Sequence, residues 1–132
     1  MVENCELPAV LRERARVIDR NAIRAYAEIT DDFNPIHVDP EFAARSPLGG
    51  IIAHGMLSLN LVWESLCDTL GPAAVTGTVL DIRFMRPVRE NDEITAGGSL
   101  VPETAGYTVW AKNQKGEVVL AGALRLAHGA SA

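Results

Sequence analysis

Residues 55–70 read GMLSLNLVWESLCDTL, and no other segment constrains the fold as tightly. Met56, Leu59, Trp63, Leu66 and Leu70 step by three, four, three and four, the spacing of one helical face. Leu57, Leu61 and Val62 widen that face until most of the circumference is apolar. A helix of this kind has to be covered on several sides. Only Ser65, Asp68 and Thr69 read as a strip left for solvent, and Gly71 followed by Pro72 ends the helix. Cys67 lies inside the apolar run and reads as core rather than nucleophile.

The cover comes from strands. Leu80, Ile82 and Phe84 alternate with Asp81 and Arg83, and Ile94, Ala96 and Leu100 follow a turn at Asn91 and Asp92. Tyr107, Val109 and Ala111 alternate in the same way, and NQKG then turns the chain into EVVLAGALRLA, with Val118, Leu120, Leu124 and Leu126 on one face. Turns this short imply antiparallel pairing. Gly97, Gly98, Ala121 and Gly122 are small enough to let a sheet curve and a helix approach. Ahead of the long helix, LRERARVI within residues 1–18 reads as a first strand. Asp19 then caps a short amphipathic helix over residues 20–30 carrying Ile23, Tyr26 and Ala27. The expected class is α+β: a curved antiparallel sheet of five or six strands wrapped around a long central helix, in one domain spanning residues 1–132. Such a sheet has open edges, so a homodimer that continues it across two subunits is expected.

Composition removes several function classes. A formal net charge of −5, with 48% hydrophobic and 22% charged residues, describes an ordinary globular chain with no general attraction for nucleic acid or an anionic membrane. No stretch is apolar for the length of a membrane span, and MVENCELPAV has neither the basic nor the apolar region of a secretory leader. The two cysteines, Cys5 and Cys67, show no disulfide or zinc spacing, and no metal is expected. The expected location is the cytoplasm.

The chemistry concentrates in DDFNPIHVDP, residues 31–40. A turn needs Asn, Asp and Pro, but it needs neither a histidine nor an acid five residues before it. Pro35 keeps Asn34 out of the helical region, while Asp39 and Pro40 start another short helix, PEFAAR, so the decapeptide reads as a helix-to-helix connection. Asp31 reads as a helix-end charge and His128 as an idle surface residue. Folded toward each other by the turn, Asp32 and His37 can hold a water, take its proton and return one elsewhere. That chemistry also needs a group to stabilise an anion. Gly55 supplies it, because the first N–H groups of the long helix lack intrahelical partners and sit at the positive end of its dipole.

DFNPIHVDP, residues 32–40, followed by GGIIAHGMLS, residues 49–58, resembles the MaoC-like (R)-specific enoyl-CoA hydratase family, also described as 3-hydroxyacyl thioester dehydratases. RFMRPV, residues 83–88, with the ENDEI turn is similar to that family's strand and turn. The resemblance covers residues 19–125 and implies a hot-dog fold and a hydro-lyase that adds water syn across a trans-2-enoyl thioester, or removes it. It implies that Asp32 and His37 activate the water, that Asn34 and Pro35 shape the loop, and that the Gly55 N–H holds the thioester oxygen. No cofactor is implied beyond the coenzyme A or phosphopantetheine that the acyl thioester substrate itself carries.

Around that site His54 is expected to fix the helix entry and stand near substrate, with Met56 beside it. Trp63 occupies a position where several relatives carry a small polar residue, so it is expected to shorten or reshape the acyl pocket. Asn60, an amide among apolar neighbours, needs partners from the backbone or from a polar acyl group. Arg83, Arg86 and Arg89 form the cluster available for a phosphate. Two rival readings remain. A hot-dog thioesterase is disfavoured by the Asp32, Asn34, Pro35 and His37 set, and a non-catalytic acyl-binding or heterodimer-supporting subunit is disfavoured because the pair is retained.

Overall fold

Strand β1 (Val10–Ile18) opens the described part of the chain, residues 7–127 of a computed structural model; Cys5 and His128 lie outside those residues. Asp19 caps α1 (Arg20–Thr30) by accepting the Ala22 N–H at 2.8 Å, and Ile23 and Ala27 form its buried face. Two short helices follow, α2 (Pro35–Val38) and α3 (Pro40–Arg45), and then the long helix α4 (Gly55–Leu70). After one turn of 3₁₀ helix at Pro72–Val75 come β2 (Val79–Phe84), β3 (Asp92–Val101), β4 (Gly106–Lys112) and β5 (Val118–Arg125).

The five strands make one antiparallel sheet in the order β1-β3-β4-β5-β2. Leu59, Leu61, Val62 and Leu66 of α4 bury themselves against Ile18, Ile94, Val109, Leu120 and Leu124 of the sheet. Each fully buried side chain of this size contributes roughly 1.5–3 kcal/mol, so this contact is the main source of stability. The arrangement is the hot-dog fold, a sheet curled around one helix. Tyr107 is buried in the same layer, its hydroxyl donating to the Pro8 carbonyl at 2.8 Å, and burial pushes its phenol up from the usual range.

Three local expectations change. Of the strip read as solvent-facing, Ser65 is fully buried and Thr69 partly so, both turned to β1, while Asp68 stays exposed as expected. The β1–β3 register shifts between Leu11 and Arg14, which leaves Arg12 without a strand partner. The helix supplies what the strand lacks: Ser65 donates to the Arg12 carbonyl, the Arg12 N–H donates to the Thr69 hydroxyl at 2.8 Å, and Arg14 pairs with Asp68 at 2.9 Å. Next, the glycines relieve crowding between strands instead of admitting the helix. A Cβ at Gly122 would lie 2.2 Å from the Asp81 carbonyl oxygen, and one at Gly97 would lie 2.8 Å from the Trp110 ring. Finally, the connection over residues 31–40 contains a helical turn of its own, α2, which carries His37.

Candidate active site

The Asp32 to His37 segment is built by backbone hydrogen bonds that its residue types dictate. Asp31 takes the left-handed conformation (φ 55°) that closes α1, and the Asp32 N–H reaches back to the Ala27 carbonyl at 3.0 Å. Asn34 is extended (φ −53°, ψ 131°), as the following proline requires, and its side-chain oxygen accepts the Ile36 N–H at 3.1 Å. The Asp32 carboxylate accepts the Asn34 N–H at 3.3 Å. Pro35 opens the single turn α2, and the Asp39 N–H returns to the Pro35 carbonyl at 2.9 Å. Asp39 then caps α3 through the Glu41 and Phe42 N–H groups.

The turn delivers His37 to residues 51–53, which are pinned in turn: the Ile52 N–H donates to the Ile36 carbonyl at 3.2 Å and the Ala53 N–H to the Val88 carbonyl at 2.8 Å. The His37 Nδ1 lies 2.7 Å from the Ile52 carbonyl oxygen. A carbonyl can only accept, so Nδ1 carries the proton and Nε2 keeps a lone pair in the neutral ring. By the same logic His54 donates from Nε2 to the Asp32 backbone oxygen at 3.0 Å, and its buried Nδ1 has no partner among the described residues. The two imidazoles stack with centroids 3.8 Å apart and planes inclined by 24°, and Tyr26 meets His54 edge-on at 5.1 Å. His54, 4% exposed, is thus a strut between the start of α4 and the Asp32 loop.

Side-chain atoms of Asp32, His37 and His54 gather within 4.8 Å of one another. Two imidazoles and a carboxylate are metal-ligand types, but a ring binds an ion near its own plane. With the rings stacked 3.8 Å apart and inclined by only 24°, a single ion does not lie close to both ring planes at once.

His37 and Gly55 border one cavity of about 450 Å³, whose other walls include Met56, Ser58, Phe84 and Arg86. Gly55 opens α4, so its N–H is one of the first-turn donors that have no intrahelical acceptor, and His54 makes no side-chain cap there. The need for glycine here comes from a neighbour: a Cβ at position 55 would stand 2.9 Å from the Phe84 ring. Asp32 is exposed and reaches the cluster from outside the cavity wall, and Asn34 and Pro35 build the loop without bordering the space.

Trp63 and Asn60 do not border this cavity. Trp63 is eight residues and about 12 Å along α4 from Gly55, and packs against the core. Arg83, on β2, is exposed and away from the cavity; Arg89 is committed to the Leu48 carbonyl at 2.6 Å. Arg86 remains, on the rim, 3.8 Å from Glu117. Glu117 is held below the usual carboxylate range, chiefly by the hydrogen bond that the Asn113 amide donates to it. Sequence reasoning missed Ser58 and Phe84. Ser58 looks like one more small residue on a helix, and only the β2 register brings Phe84 over Gly55.

Comparison with known proteins gives a consistent picture. The MaoC like domain model matches residues 7–119. A 3-hydroxybutyryl-CoA dehydratase of Methylorubrum extorquens is 39% identical over 90 residues, 65% of this chain and 57% of that protein. An (R)-specific enoyl-CoA hydratase of Aeromonas caviae is 36% identical over 74 residues, 56% of this chain and 55% of that protein. The chain thus spans little more than half the length of these relatives. Among solved structures, the unliganded R-hydratase of Pseudomonas aeruginosa superposes with a TM-score of 0.78 at 26% identity, covering 95% of this chain and 83% of that one.

Proposed function

Because the chain belongs to the MaoC-like domain family, we propose that it catalyses the reversible syn hydration of trans-2-enoyl thioesters to (R)-3-hydroxyacyl thioesters. One observation supports the reading: the Ile52 carbonyl holds Nδ1–H of His37, which leaves Nε2 free to serve as a base near Asp32, and His37 and Gly55 line the same cavity.

The β-carbon of an enoyl thioester is electrophilic to the degree that its carbonyl oxygen accepts charge. The Gly55 N–H, at the positive end of α4, receives that oxygen, and a donor so placed is worth about 2.7–4 kcal/mol in the transition state. A water between the Asp32 carboxylate and His37 Nε2 gives its hydroxyl to the β-carbon and its proton to the pair. The pair then delivers a proton to the α-carbon on the same face. Such general acid-base help is worth roughly 10²- to 10⁴-fold. His54 holds the Asp32 backbone and the His37 ring in register. These steps call on no metal or redox cofactor, only the coenzyme A or phosphopantetheine of the substrate.

Arg86, at the rim, also borders a polar pocket of about 200 Å³ lined by Arg89 and Lys115 together with Asp92 and Glu117, and we read Arg86 and Lys115 as the cations that would meet a carrier phosphate. The protein is read as a homodimer joined along β2, an edge strand that leaves Val79 and Phe84 about half exposed. No helix among the described residues is long and apolar enough to cross a membrane, and Cys67 has no disulfide partner among them; the cytoplasm is the location we propose.

The test is a spectrophotometric assay with crotonyl-CoA. Loss of the conjugated absorbance without release of free thiol is expected, whereas thiol release would identify a thioesterase. Asp32→Asn and His37→Ala should each lower kcat by roughly 10²-fold or more. Wild-type rates in both variants would end this mechanism.

A further inference from the structure

The cavity passes from an open rim to a closed inner wall. Met56, Phe84 and Met85 at the rim are 47%, 53% and 57% exposed, whereas Ala53, Ser58, Val88 and Val119 are each 6% exposed or less. Three of those four inner residues are hydrocarbon and the fourth carries a hydroxyl. The Ser58 Oγ is closed to solvent and has no hydrogen-bond partner among the described residues. A helical serine ordinarily returns its hydroxyl to the carbonyl one turn back, and Ser58 does not. Nature seldom leaves such a group unpaired, and in a mostly apolar pocket a lone polar group is what fixes ligand choice.

Ser58 stands three residues beyond Gly55, about 4.5 Å further along the α4 axis. Both border the cavity. With the thioester oxygen on the Gly55 N–H, an acyl chain running toward the inner wall brings its γ or δ carbon abreast of Ser58. A serine has one rotatable side-chain bond, so its hydroxyl turns between staggered positions to meet a ligand. We propose that Ser58 selects acyl thioesters bearing an oxygen at that point, an oxo, hydroxyl or ether group, over plain hydrocarbon chains. The placement of the thioester rests on the hydratase reading above, and Ser58 acts on specificity, not on the proton transfers.

Calorimetric titration of the intact protein with pentanoyl-CoA and with levulinoyl-CoA, its γ-oxo analogue, reads the preference without turnover because both esters are saturated. The wild type is expected to bind the γ-oxo ester about ten-fold more tightly, the factor one hydrogen bond supplies, and Ser58→Ala is expected to bring the two to parity. Alanine is the best helix former, so the variant keeps α4 intact, as circular dichroism will verify. Equal affinities in the wild type, a preference that survives in Ser58→Ala, or failure of both esters to bind overturns the proposal. Hydration of trans-2-pentenoyl-CoA is measured beside it. Its absence counts against the hydratase reading alone, since the ratio of binding constants still judges Ser58.

Discussion

At Gly55 the missing side chain serves a neighbour. A Cβ at this position would stand 2.9 Å from the Phe84 ring, so any larger residue there obliges that half-exposed ring to shift. Gly55→Ala should therefore leave α4 as helical as before, or more so, while pushing the ring and the bound thioester off the N–H. A fall of at least about ten-fold in kcat/KM for crotonyl-CoA is expected, since even part of an oxyanion-hole donor's worth exceeds that factor. Phe84→Ala added to the variant should recover part of the loss, and an unchanged rate in Gly55→Ala would mean the close approach has no catalytic use. His54 illustrates what sequence can say about a single residue. Its place at the helix entry was legible from HGM, but its stacking on His37 was not, because a contact across seventeen positions depends on where the chain returns.

Elements that look alike in sequence play opposite parts. The hydroxyls of Ser65 and Thr69 suggested a wet face on α4, yet they complete an edge strand whose register shift strands the Arg12 backbone. Nothing local distinguishes the two situations, since a hydroxyl satisfied by water and one satisfied by a distant carbonyl share the same helical position. Ser65→Ala removes the partly buried hydrogen bond to the Arg12 carbonyl and should cost about 0.5–1.5 kcal/mol, read as a lower urea midpoint at unchanged slope. No change in midpoint would show that water replaces the serine. By contrast, the DFNPIHVDP turn was legible almost entirely, because Asn caps, Pro restricts its predecessor and Asp caps again, all within four residues of their targets. The helical turn inside it was missed because four residues are too few for a periodicity.

For the whole molecule the sheet ends in two edges, β1 and β2, and α4 attends to the first. The second stays open in the single chain, with Val79 47% exposed at its start. If two copies join along β2, sedimentation at micromolar concentration should give a dimer, and Val79→Lys should shift it toward monomer with the circular dichroism spectrum retained. A wild-type monomer would remove the homodimer from the proposal. The sequence by itself determined the long buried helix, the antiparallel strands that wrap it and the turn that joins Asp32 to His37. Each of these is written in periodicity or in the preferences of adjacent residues. Only the tertiary structure decided that Ile52 fixes the His37 tautomer, that Phe84 rather than Trp63 borders the cavity beside Gly55, and that Ser58 borders it with a hydroxyl unpaired among the described residues. These depend on which strand edge and which helical turn come to rest against each other, a choice made by packing the whole core at once.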